Sequence, residues 1–555
     1  MRRVLAIFLD GYEHSLGQRL MSAGEMPEMS KLAASSASYL LDHGPAQRTG
    51  LAGEHLATGL SPEMTRRWSA VSFDPKSYSV WQEGTSLRPF AADLQCRTVV
   101  FDAPYLNLDA APGVRGIVSW GAHDPGVRRC SRPSELVEEF LARFGDYPAP
   151  KWIYGLAWPS AEKSHAMGDG LARAVDVRAE AAQWLLGEKF PDWDLALVAV
   201  SEPHSVIEGL WHGVDPTHPL YGLPTATAAG DSVRAVYRGV DRLVGKLVSA
   251  FPDAIPVVFA MGGMGPNQSD VASMLLLPEL MYRHAFGSAF FQQPPDWPWS
   301  TNACPLLAED DDSWEGRIAQ HFPSVPDPWL QSVASRVLPR TVKAMLRRAL
   351  STKAEPGNTS RSSLSWMPAT AYRRFWHSMP AFALPSFYDG RVRINLRKRE
   401  HRGNVELADY KRTLTGVEDL IRACRDPATG ESAVDFVEYP ASSDPRGLTP
   451  SGSDLNVIWK GAPLCLEHPT LGRIGPVPYR RTGGHTGECG VAYIRTGSGL
   501  VGEHGMHSAF DVVPTIVHLL GERTGRSLAG TSFLSDAPAG TALADVDTSI
   551  KAVVT

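Results

Sequence analysis

His204 and Glu208 stand four positions apart in the run Ser201-Glu202-Pro203-His204-Ser205-Val206-Ile207-Glu208. On a helix that spacing places an imidazole and a carboxylate on one face, one turn apart, where the two can share a single cation. Without a cation the same groups form a hydrogen-bonded pair. Asp10 follows the apolar run Val4 to Leu9 and precedes Gly11, which delivers a carboxylate at the end of a buried strand. Thr49 lies ten residues ahead of Gly59 in the turn Thr58-Gly59-Leu60-Ser61-Pro62. Taken alone, a threonine in such a place is a helix cap. Arg48, next to it, has the fork of donors that meets an oxyanion through two parallel N–H bonds. Glu54 and His55 are residues of the general-base type that also serve as ordinary helix-face groups. Toward the C-terminus, Arg481-Thr482-Gly483-Gly484-His485 offers another imidazole, and His504 and His507 offer two more.

These residues need a scaffold that brings distant segments together, and the apolar pattern supplies one. Short apolar runs at 4–9, 97–101, 151–155, 195–200 and 256–261 read as strands, and stretches at 28–35, 134–143, 171–186 and 231–251 read as helices. This alternation predicts an α/β fold, a doubly wound, mostly parallel sheet flanked by helices. In such sheets ligands bind beyond the carboxyl ends of the strands, where Asp10 and His204 are expected. The periodicity weakens from 267 to 385, a large insertion that includes the acidic run 309–312, a basic amphipathic stretch 333–350 and a loop-like segment near 352–365. The division expected is a core from 1 to 266, the insertion from 267 to 385, a second part of the core from 386 to 522, and a polar tail from 523 to 555.

With 555 residues and a formal net charge of −6, the chain has no global reason to bind nucleic acid or an anionic membrane, and neither partner is expected. No apolar run approaches the roughly 20 residues that cross a bilayer. Six scattered cysteines without a CxxC pair fit reduced thiols and a cytoplasmic setting.

Taken together, Asp10-Gly11, Thr49 with its Gly59 turn, the 201–221 segment, Gly483-Gly484-His485 and Asp511-Val512-Val513-Pro514-Thr515 resemble the type I phosphodiesterase and nucleotide pyrophosphatase branch of the alkaline phosphatase superfamily. The stretch Ile394-Asn395-Leu396-Arg397-Lys398-Arg399-Glu400 is similar to the I-N-L-x-x-R-E strand of its predicted phosphohydrolase and phosphomutase group. The resemblance implies Thr49 as nucleophile with Asp10 as its base or orienter. It implies His485 as a third ligand beside His204 and Glu208, holding one divalent ion, zinc or alternatively manganese, and Arg48 on the substrate.

Two departures matter. His204 stands where the branch has Asp, and Glu208 where it has His. The S-D-H-G motif that holds a second ion is replaced by Ala260-Met261-Gly262-Gly263, so Met261 and Gly262 occupy lost ligand positions. A thioether is a poor ligand for zinc or manganese and glycine has no side chain. The expectation is a metal-dependent phosphoryl-transfer hydrolase acting on a phosphodiester, nucleotide or phosphonate ester through a single-metal site. The alternatives are a non-catalytic phosphate-ester binder and a sulfuryl- or carbamoyl-transfer enzyme.

Overall fold

The computed structural model describes residues 3–154, 156–292, 297–311, 313–323, 361–439, 444–497 and 499–535. Its centre is a nine-stranded sheet. Its strands are β1 (Arg3–Leu9), β2 (Ala37–Asp42), β3 (Thr98–Phe101), β4 (Arg115–Val118), β5 (Cys130–Arg132), β6 (Leu195–Val200), β7 (Ala254–Ala260), β8 (Gly490–Ile494) and β9 (Gly502–Ser508). Across the sheet they run in the order β9-β2-β8-β7-β1-β6-β3-β4-β5. β1 lies between β7 and β6 and pairs parallel with both, while β8 runs antiparallel to β7 and β2, and β5 antiparallel to β4. The expected mostly parallel α/β architecture is thus the one observed.

Val4 to Leu9 are buried almost completely, as a strand covered on both faces requires. One face is covered by α1 (Ala161–Trp184) and α3 (Ala226–Ala250), which pack on each other; α3 buries Val233, Val236, Val240, Leu243 and Leu247 at helical spacing. The other face packs against α4 (Val512–Leu520), with Val513, Ile516 and Leu520 inward. Between α1 and α3 in sequence, α2 (Glu202–Leu210) starts directly after β6, and every one of its residues is buried.

Lys151–Tyr154, expected as a strand, forms turns and bends instead. Its apolar run Trp152-Ile153-Tyr154 is too short to settle strand against turn, and prolines at 148 and 150 break the approach to it. The strand expected near 391–396 exists as Gly390–Ile394, but it belongs to a separate four-stranded antiparallel sheet with Ala381–Leu384, Leu455–Trp459 and Val434–Glu438. Judged by sheet membership, the chain returns to the central sheet at Gly490. The basic stretch 333–350 and residues 352–360 lie outside the described residues, and Arg361–Ser363 pair with Ser79–Glu83. Of the tail, 536–555 lie outside the described residues, while Phe533 and Leu534 are buried against the core. Among the described residues, no helix is long and apolar enough to cross a membrane.

Candidate metal centre

The carboxyl ends of β1, β3, β4, β6 and β7 meet at one edge of the sheet, and β8, running the other way, begins there. Five polar side chains arrive from four segments: Asp10 after β1, His123 in the loop after β4, His204 and Glu208 on α2, and His485 in the strand Gly483–Gly487 that precedes β8. Gly11 permits this convergence. It has φ +65°, and a Cβ there would sit 2.5 Å from the Cα of His204. Only glycine lets the turn after β1 touch the first turn of α2.

His204 is the hub. Its Nδ1 meets Asp10 Oδ2 at 3.2 Å, its Nε2 meets His485 Nε2 at 2.8 Å, and the same Nε2 lies 3.5 Å from Glu208 Oε1. The His123 ring stacks on His204 with centroids 3.6 Å apart, and His123 Nε2 lies 3.3 Å from Glu208 Oε2. One ligand atom from each of His123, His204 and Glu208 falls within 4.8 Å of the others. Both Glu208 oxygens are buried and neither accepts a directional hydrogen bond. They are instead in ion-pair contact with His123 and with Arg481. Two or three imidazoles around a buried, ionised carboxylate is a donor set that fits a divalent ion of the zinc type.

The charges are strongly coupled. Burial alone would raise the Asp10 carboxyl, yet the surrounding imidazoles, His204 first, hold it below the usual carboxylate value. Burial would lower His204, but Asp10 and Glu208 outweigh it and push it up to about 10. Burial and the neighbouring His204 push His485 down to about 3. Glu208 stays well below the usual range because Arg481 and His123 overcome its burial. Without an ion, the His204–His485 contact therefore carries one proton, held on His204. Arg481 is itself fixed by a two-pronged bond to Asp270, at 2.8 and 3.1 Å.

The loop and helix that carry His123 and His204 share a brace. Arg178, fully buried on α1, donates to Asp102 Oδ2 at 2.8 Å and to Glu202 Oε1 at 2.9 Å. Asp102 in turn accepts from the backbone of Trp120 and Gly121, and Glu202 opens α2.

A cavity of about 40 Å3 opens on the site, with Asp10, His204, His485, Tyr388, Met261 and Gly262 among its walls. A neighbouring cavity of about 220 Å3 shares Gln47, Tyr388 and His485 with it and includes Arg48. Arg48 also pairs with Glu438 at 2.5 Å. Thr49 sits between the wall residues Gln47 and Gly50 but is not itself on the wall. Its Oγ1 donates to the Ala46 carbonyl at 2.7 Å and accepts from Leu51 N at 3.2 Å. Glu54 is paired with Arg67, and His55 Nδ1 contacts His43 Nε2 at 3.0 Å. His504 stacks on Tyr39 and His507 lies 3.8 Å from Asp511, so both lie on β9, away from the cavity wall.

Two site residues escaped the sequence reading. His123 obeys the same rule that found Asp10, a polar group beyond a strand end, but its strand Arg115–Val118 is short and went unrecognised. Tyr388 lies in the turn between the strands Ala381–Leu384 and Gly390–Ile394 and carried no sequence signal.

No protein-family model matches the sequence, and no curated protein matches it at the sequence level. Among solved structures, the chain is similar to phosphonoacetate hydrolase from Sinorhizobium meliloti 1021 in complex with phosphonoformate, with 13% identity, 94% of this chain and 95% of that one covered, and a TM-score of 0.44. It is also similar to the murine ectonucleotide pyrophosphatase/phosphodiesterase 5, in an inactive form in complex with AMP, with 10% identity, 96% and 98% covered, and a TM-score of 0.42. At these values the likenesses carry no weight in assigning residues.

Proposed function

We propose that the chain is a hydrolase of small phospho- or phosphonate esters, of the alkaline phosphatase superfamily, with a single divalent ion held by His204 and Glu208 together with His123 and His485. The observation that carries this reading is the convergence of these side chains from separate segments around the buried Glu208 carboxylate, with Asp10, His204 and His485 on the wall of a cavity. When bound, zinc or manganese would supply Lewis-acid polarisation of a phosphoryl oxygen. Met261 and Gly262 line the cavity without offering a ligand suited to a second ion.

In this reading Asp10 acts as an orienter. By accepting from His204 Nδ1 it turns Nε2 toward the site, the role a carboxylate has behind a ligating imidazole. Thr49 is the proposed nucleophile. Attack requires its hydroxyl to leave the Ala46 carbonyl and turn toward the cavity that the adjacent Gly50 lines. The substrate's partner group is a small molecule, since the wall cavities are narrow.

Protein purified without chelator should contain close to one equivalent of zinc or manganese by elemental analysis. Glu208→Gln and His204→Ala should each reduce that content severalfold. Thr49→Ala should abolish turnover of a phosphodiester, whereas Thr49→Ser should retain part of it. Active enzyme without metal, or full activity in Thr49→Ala, would remove the reading.

A second reading has its own observation. Glu208 already faces the Arg481 guanidinium, and the Thr49 hydroxyl is already engaged, as in a site kept for binding alone. Phosphate binding without turnover, equal in the presence and absence of metal, would select it.

A further inference from the structure

We infer that Tyr388 is a catalytic residue of this site, its hydroxyl donating a hydrogen bond to a non-bridging oxygen of the reacting ester. The inference rests on the proposed hydrolase reading and adds to it the donor that a site with one ion lacks. Where two ions would share the developing negative charge, a preorganised neutral donor does part of that work.

Tyr388 is placed for it. It lines both the cavity beside His204 and the larger cavity next to it, so it stands on the shared wall. Its ring meets His485 edge to face, with centroids 4.5 Å apart. On its other side it closes over Gly50, where an added Cβ would sit 2.8 Å from the Tyr388 ring. The turn that carries it is pinned at both ends. Ser269 Oγ donates to the Phe387 carbonyl at 2.8 Å, and Asp389 accepts from Ser386 at 2.7 Å and from Arg391 at 2.8 Å. The phenol is therefore fixed before any substrate arrives.

Two neighbouring polar groups are already engaged. The Gln47 amide donates to the carbonyls of Gly263 and His485, at 3.2 and 3.1 Å. The nearby Tyr154 hydroxyl donates to the His123 carbonyl at 2.5 Å. Among the described residues, none takes the Tyr388 hydroxyl as a hydrogen-bond partner. A phenol is both donor and acceptor, and with no acceptor among the described residues its proton is free to meet an anionic ligand in the cavity.

Tyr388→Phe keeps the ring on His485 and over Gly50 and removes the hydroxyl alone. In the metal-loaded full chain, with bis(p-nitrophenyl) phosphate as substrate, kcat should fall about 100-fold. KM and bound metal should stay at wild-type values, a split that a merely structural role would not produce. Unchanged kcat would overturn the inference. Orthovanadate binding, followed by calorimetry, keeps this test apart from that of the hydrolase reading. At least tenfold weaker binding in Tyr388→Phe supports the donor even in a chain that turns nothing over, and equal affinity in the two proteins overturns it.

Discussion

Gly11 shows how closely a single residue can control the site. Replacing it with alanine combines a left-handed backbone, which costs a side chain about 1–2 kcal/mol, with a clash against the backbone of His204. Gly11→Ala should lower stability by roughly 2 kcal/mol or more in a denaturant titration. It should also weaken metal binding, because the strain falls on the turn that carries His204. A variant as stable as the wild type, with full metal content, would mean that the contact relaxes at no cost. At this scale the sequence was informative wherever a polar residue followed a recognisable strand, as with Asp10 and His204. It was silent on Tyr388, whose place depends on an antiparallel sheet separate from the nine-stranded one, and on the Arg481 contact with Glu208, which no spacing encodes.

Among the elements, α2 and the loop after β4 depend on Arg178. Its guanidinium neutralises two fully buried carboxylates, Asp102 and Glu202. Removing one member of such a group leaves charges stranded, which costs about 3–5 kcal/mol. Arg178→Ala should therefore unfold at a much lower denaturant concentration, and Arg178→Lys should fall between the two because it cannot span both acids with a planar fork. Equal midpoints would show that water or a shift of α2 replaces the guanidinium.

The segment Ile394 to Glu400 carries a similar lesson. Its Arg399 and Glu400 carry part of the family resemblance, and in the structure they form a brace. Arg393 and Arg399 bond Glu400, and Arg399 and Tyr410 bond Asp454, holding the four-stranded sheet to its helix Tyr410–Arg422. The sequence pattern located these elements correctly, yet it could not say which sheet they join, since a short apolar run looks alike in both.

For the whole molecule, buried neutral imidazoles set the response to acid. Burial holds His43 down at about 4, and burial with the neighbouring His218 holds His212 down at about 3. An unfolded chain protonates both near 6.5. Between those values the unfolded state binds more protons, so stability is complete above about pH 6.5 and declines as the pH falls toward about 4, at roughly 1.4 kcal/mol per pH unit for each group. Thermal midpoints should stay level from pH 7.5 to about 6.5 and fall steadily from there to 4.5, and His212→Asn should flatten part of that fall. A flat profile would mean that both rings are already protonated in the folded protein.

The overall architecture was the most legible level, because alternating apolar strands and amphipathic helices leave few ways to bury both. The excursion between 267 and 489 was the least legible, because its order comes from pairings between distant segments.

The antiparallel β8 carries a consequence for biosynthesis. β1 leaves the ribosome well before its neighbours, which arrive near residues 195 and 254, and the imidazole of His485 emerges hundreds of residues later still. At roughly 5–20 residues per second, translation leaves the half-built edge waiting for tens of seconds. The nascent protein must then keep β1 shielded from neighbours long before it has a working centre to protect.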